Sequence, residues 1–105
     1  SVACQMQSDA ATLRLPAFEV PAGKRAIVRI ELESPIASTS NVFFQTRTEP
    51  SFSRSRQYQY EIHQGLNELL VEVVDPDFNG KLMLKPSREA GTFLISALEA
   101  RLVAR

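Results

Sequence analysis

Apolar side chains return at every second position along most of this chain, in short runs that end at proline, glycine, serine or asparagine. In residues 24–33, Val28, Ile30 and Leu32 alternate with Arg29, Glu31 and Glu33, the pattern of an antiparallel strand with one face on a core and one in water. Residues 41–47 set Val42, Phe44 and Thr46 against Asn41, Phe43, Gln45 and Arg47. Residues 57–63 set Tyr58, Tyr60 and Ile62 against Gln57, Gln59, Glu61 and His63. In 66–74, Leu69, Val71 and Val73 oppose Glu68, Leu70 and Glu72. A helix over 67–70 competes there, and the β-branched Val71, Val73 and Val74 favour strand. Shorter strands are predicted at 11–15, around Leu13 and Leu15, and at 81–85, around Leu82 and Leu84. Turn chemistry separates these runs at Pro21 and Gly23, at Ser34 and Pro35, in the serine-rich 48–56, at Gln64 and Gly65, in 75–80 and in 86–91.

Residues 92–103 do not keep one parity. Phe93 and Ile95 share one face of an extended chain, while Leu98, Ala100 and Leu102 share the other. A helix over 94–102 would align Leu94, Leu98 and Leu102, and a β-bulge near Ser96 and Ala97 would return both apolar sets to one side. We prefer the bulge, because a late strand supplies a partner for a sandwich edge. Residues 1–9 show no period and are predicted to be a loose lead-in. The remainder, 10–105, is predicted to be a single all-β domain: an antiparallel β-sandwich of about seven or eight strands, jelly-roll in topology. An immunoglobulin-type core is disfavoured by the lack of tryptophan and of a cysteine pair.

A chain of 105 residues suits one domain, and its 44% hydrophobic and 23% charged content fits a globular one. The formal net charge of zero argues against nucleic acid as a partner and against a polybasic membrane anchor. No apolar run is long enough to span a bilayer, and no basic-then-apolar leader opens the chain. The single cysteine, Cys4, cannot bridge within the chain.

Catalysis is not expected, because no nucleophile–base pair or metal constellation stands out. His63, the one histidine, falls on a polar face without an orienting partner in its context. Glu31, Glu33, Glu61, Glu68 and Glu72 read as a solvated face with ion pairs to Arg29, Arg47 or Lys24, rather than as a hydrolytic pair. Asp75, Asp77 and Asn79 alternate before Gly80, an arrangement that suits either a structural calcium or Asx turns. Tyr58 and Tyr60 are expected in the core with Ile62, their hydroxyls seeking partners at its edge. The best surface for a ligand combines Phe43, Gln45 and Arg47 with Arg54, Gln57 and Gln59, since saccharides are held by an aromatic face flanked by planar polar groups. Phe43, Leu70 and the 48–56 loop form the competing expectation, a contact surface for another protein.

The order of motifs resembles a bacterial accessory domain of the galactose-binding-like jelly-roll kind. The resemblance runs from about Lys24 to the C-terminus. It is carried by residues 25–33, by Val42, Phe43, Phe44, Gln45 and Thr46, and by Glu49, Pro50, Ser51, Phe52 and Ser53. Gly65, Leu66 and Asn67, the 75–80 loop, and Leu82, Met83, Leu84, Lys85 and Pro86 add to it. Such domains accompany glycosyltransferases and membrane proteins of cell-surface polysaccharide assembly. The similar late strand there reads Leu-Arg-Leu-Asp-Pro, and Met83 and Lys85 here replace its arginine and aspartate. The resemblance implies a non-catalytic module that binds a glycan or glycolipid, extracytoplasmic or membrane-associated through a parent glycosyltransferase or membrane protein. The alternative is a structural docking or oligomerisation domain.

Overall fold

The structure, a computed structural model, describes residues 2–6, 12–21, 23–89 and 91–104, with the backbone alone for 2–6. The described residues form eight strands and no helix: β1 (Val2–Met6), β2 (Leu13–Arg14), β3 (Lys24–Ser34), β4 (Ser38–Thr46), β5 (Gln57–Ile62), β6 (Gly65–Val73), β7 (Phe78–Lys85) and β8 (Gly91–Ala104). They pair, wholly antiparallel, into two four-stranded sheets in the orders β1-β8-β3-β6 and β2-β7-β4-β5. The fold is an all-β sandwich, as the two-residue period predicts.

Alternation sets which side chains meet between the sheets. Val28, Ile30, Leu32, Leu69, Val71, Val73, Phe93 and Ile95 come from one sheet, and Val42, Phe44, Phe78, Leu82 and Leu84 from the other. All are buried, and their apolar area is the main favourable term in holding the two layers together. Phe78 packs edge-on against both Phe44 and Phe18. Tyr58 stacks on Phe44 at 5.5 Å between ring centroids. Tyr60 donates from its hydroxyl to the Leu70 carbonyl (3.3 Å), linking β5 to β6 across the gap between the sheets. Both tyrosines pack partly buried against the core. Burial in this low-dielectric surrounding raises both phenol pKa values.

Three elements differ from the sequence reading. Residues 2–6, within the expected lead-in, are a strand paired with β8, Val2 opposite Ile95 and Met6 opposite Gly91. A ladder uses only backbone groups, so an edge strand can form without an alternating pattern. Residues 1 and 7–9 of that lead-in lie outside the described residues. β7 begins at Phe78, inside the expected 75–80 loop, because Phe78 is needed in the core. Gly80 makes this possible. It holds φ of +86°, and a Cβ there would overlap the Phe18 carbonyl oxygen. The early strand shrinks to Leu13–Arg14, with Leu15 adding one bond to the Leu82 carbonyl (3.0 Å), while Ala11 lies outside the described residues.

The last segment is a single bulged strand. Along β3 the partner of Glu31 is Ala97 and the partner of Leu32 is Ile95, so Ser96 is left over. This one extra residue lets Phe93 and Ile95 face the core from one half, and Leu98, Ala100 and Leu102 point to the same side from the other.

Candidate functional site

Four of the six expected ligand residues converge on the outer face of the β2-β7-β4-β5 sheet. On β4, Phe43 and Asn41 point away from the core because Val42 and Phe44 point into it. The register places Phe43 between Gln57 and Met83, and Asn41 between Gln59 and Lys85. Arg54 and Arg88 close the two ends, giving a groove of about 280 Å³ lined by Asn41, Phe43, Arg54, Gln57, Gln59, Lys85 and Arg88.

The groove's polar groups are held by its own framework. Asn41 Nδ2 donates to Gln57 Oε1 (2.7 Å), and Gln57 Nε2 donates to the Arg54 carbonyl (3.0 Å). The Arg88 N–H donates to Ser38 Oγ (3.2 Å), and Ser87 and Ser38 hydroxyls meet at 2.9 Å. Ser40, fully buried below, donates to the Pro86 carbonyl (2.6 Å) and fixes where β7 leaves the sheet. No carboxylate lines the groove. Among the described residues the ion pairs use Arg25, Arg29 and Arg56, and none involves Arg54, Lys85 or Arg88. Three cations therefore border a patch of one phenyl ring and three amides.

Gln45 and Arg47 do not join this groove. The β4–β7 register shifts between Phe44 and Thr46, and Arg47, just past the strand, is exposed. Gln45 is buried, and its Oε1 accepts from Asn79 Nδ2 (3.1 Å). The Arg47 guanidinium donates to the Val20 carbonyl, and its backbone N–H to the Asp77 carbonyl (2.8 Å). Both side chains tie neighbouring loops together, away from this groove.

Asp75, Asp77 and Asn79 are likewise spent on the backbone. Asp75 Oδ1 accepts the Asp77 N–H (2.8 Å), Asp77 Oδ2 accepts the Thr48 N–H (3.1 Å), and Asn79 Oδ1 accepts the Lys81 N–H (3.0 Å). The bonds from Thr48 hold the Asp77 carboxyl below its ordinary pKa. Among the described residues no three His, Cys, Asp or Glu side chains gather as a metal site. Asp75 and Asn79 each make the expected Asx bond to the N–H two residues on.

On the outer face of the other sheet, Arg29 is the hub. It contacts Glu31, Glu68 (3.2 Å) and Glu99 (3.3 Å), and Arg25 meets Glu72 at 2.6 Å. The bond from Arg29 lowers the Glu31 pKa, and its acidic neighbours raise that of Arg29. These carboxylates form the expected solvated face, although their partners are Arg29 and Arg25, not Arg47 or Lys24. His63 is exposed, with Nδ1 against the Gln64 carbonyl (2.8 Å). Cys4 lies on β1 opposite Phe93. Phe43 and Leu70 sit on the outer faces of different sheets, so they cannot share one flat contact surface with the 48–56 loop.

Asn41, Lys85 and Arg88 were not among the expected ligand residues. Asn41 shares the parity of Phe43, a signal present in the sequence. Lys85 and Arg88 become neighbours only through the β7–β4 pairing, which no local pattern encodes. No protein-family model, curated protein or solved structure gives a significant match to the chain.

Proposed function

We propose that this chain is a non-catalytic, jelly-roll, carbohydrate-binding module, and that the β4–β5–β7 groove takes a saccharide bearing acidic groups, as a free glycan or as the head of a glycolipid. The observation that carries the reading is the groove itself: a phenyl face and three amides with Arg54, Lys85 and Arg88 around them and no acid among its lining residues. The ring would take the apolar face of a pyranose, the amides its hydroxyls, and the cations its carboxylates or phosphates. The winding is supported by the sheet neighbours, β1 with β8, β2 with β7, β3 with β6 and β4 with β5, which is how a long antiparallel ribbon folds over into two layers. An accessory place beside a glycosyltransferase or a membrane protein of polysaccharide assembly, outside the cytoplasm, rests on the motif resemblance alone.

The test is titration calorimetry of the 105-residue chain against uronic-acid oligosaccharides and against neutral oligosaccharides of the same length. The expected result is binding of the acidic set, weakened by added salt, with Phe43→Ala and Lys85→Ala each lowering affinity about tenfold. Equal binding of both sets would leave a sugar module without acid selectivity. No binding of either would overturn the reading and favour a structural docking domain, whose supporting observation is the three apolar side chains Leu66, Leu70 and Val74, each more than half exposed on or just after β6 and interleaved with Glu68 and Glu72.

A further inference from the structure

The outer face of the β2-β7-β4-β5 sheet does not end at the groove. One row runs across all of its strands: Phe43 stands opposite Gln57 on β5 and Met83 on β7, and Met83 in turn stands opposite Arg14 on β2. Beyond this row lies a second pocket of about 290 Å³, bordered by Arg14, Pro50, Phe52 and Lys81. Arg14 lies over the Phe52 ring, 5.6 Å from guanidinium carbon to ring centroid, a cation–π contact. The 48–56 loop serves both pockets, with Phe52 at the second and Arg54 at the first. The second pocket thus repeats the composition of the first: one phenyl ring beside cations, and no acid among its lining residues.

Charge is sorted to match. β7 turns Lys81 and Lys85 outward with Met83 between them, and the rise of an extended strand sets the two lysines about 13 Å apart. Among the described residues no ion pair uses Arg14 or Lys81, as none uses Arg54, Lys85 or Arg88. Glu61 is the one outward acid on the described strands of this face. It lies at the far end of β5 opposite Thr39, whose hydroxyl donates to it (3.2 Å). Glu31, Glu68, Glu72 and Glu99 stand on the other sheet, with Arg25 and Arg29. A net charge of zero therefore conceals one cationic face. Such a face suits a ligand whose negative charges repeat along its length, since a single anion would engage only one end of it.

We propose that the two pockets are successive subsites for the interior of one acidic polysaccharide chain lying along β7, so that the recognised unit is a run of charged sugar residues and not a single sugar or a chain end. This rests on the reading of the first groove as a saccharide site. Phe43 and Phe52 supply two apolar platforms, Met83 is the apolar bridge between them, and Lys85 and Lys81 meet anionic groups separated by that span.

Calorimetric titration of the 105-residue chain with a uronic-acid disaccharide and with the corresponding hexasaccharide tests this. The hexasaccharide binds more tightly. Phe52→Ala and Lys81→Ala each lower its affinity about tenfold and leave that of the disaccharide, which fills the first groove, within about twofold; Phe43→Ala lowers both. Arg101→Ala, which removes a charge from the opposite sheet, leaves both affinities unchanged, and Phe52→Ala removes no charge. A fall confined to the longer ligand therefore reads the second subsite and not general attraction. Lys81 is exposed, so its variant reports on the subsite even where loss of the Phe52 ring loosens the loop. Hexasaccharide affinity untouched by Phe52→Ala and Lys81→Ala, or lowered equally by Arg101→Ala, would overturn the second subsite and leave the first groove standing. Failure of both ligands to bind would overturn the two readings together.

Discussion

Asn67 is a polar residue on the buried side of β6, in line with Leu69, Val71 and Val73. Its amide group is fully used. Nδ2 donates to the carbonyls of His63 (2.9 Å), Gly65 (3.1 Å) and Leu32 (3.3 Å), and Oδ1 accepts the His63 N–H (2.9 Å). These bonds close the β5–β6 connection, where Gly65 takes φ of +103°, and tie it to β3. Alanine at this position would leave the His63 N–H and three carbonyl oxygens without this partner, the Leu32 carbonyl among them buried, whereas an exposed asparagine would be replaced with little effect. Asn67→Ala is therefore expected to cost about 2–3 kcal/mol, read as a lower urea midpoint with an unchanged slope. Gln45 shows the same logic at a place where it misleads. Its amide looks like a sugar ligand in the alternation of β4, yet it is buried against Asn79, and only the three-dimensional cover of the strand end reveals that.

At the scale of the element, the strands whose two faces meet different surroundings were legible. β3, β5 and β6 carry alternating apolar and charged or polar side chains, and their bounds depart from the alternating segments by only a residue or so. β1 was not legible, since an edge strand is held by backbone bonds that any residue but proline supplies. β8 was half legible: the parity change at Ser96 announced an irregularity, and pairing with β3 selected a bulge over a helix. The same limit applies to the groove, where the row on β4 and β5 can be read from period two but the contribution of β7 needs the sheet order. The bulge absorbs one residue whose side chain does little. Ser96 is exposed and its hydroxyl reaches only Glu31 at 3.3 Å, so Ser96→Ala should change stability by no more than about 0.5 kcal/mol. Deleting Ser96 puts Phe93, Ile95, Leu98, Ala100 and Leu102 on one parity in the same pairing with β3, so it removes the bulge while every core-side residue keeps its face, and should change stability by no more than about 1 kcal/mol. Chemical denaturation of the two variants checks both, and a loss of several kcal/mol on deletion would show that the bulge itself is needed.

For the molecule as a whole, the ionisable groups shifted by folding sit at separate places and bound the pH range of stability from both ends. Asp77 anchors the 47–49 turn through Thr48, and Glu31 lies under Arg29 on the far sheet; both carboxyl pKa values are lowered. A lowered carboxyl pKa means the folded state holds the anion more firmly than the unfolded chain does. Its stabilisation is complete above the unfolded value, near pH 4, and is lost as pH falls through the folded value. Tyr58 and Tyr60 work in the opposite direction. Burial raises their pKa values, chiefly by desolvating the phenolate, so the unfolded chain ionises first. Stability is intact below the unfolded value, near pH 10, and declines as pH rises through the folded one. The expected profile of thermal midpoint against pH is a plateau with an acid limb below about pH 4 and an alkaline limb above about pH 10. Asp77→Asn lowers the plateau and shallows the acid limb without touching the alkaline one. Tyr58→Phe does the reverse, because it removes the group that must stay protonated while keeping the ring stacked on Phe44. A single Asp77→Asn curve parallel to wild type through the acid limb would show that Asp77 gains nothing from Thr48 on folding. An alkaline limb unchanged in Tyr58→Phe would place the ionisation that unfolds the chain elsewhere.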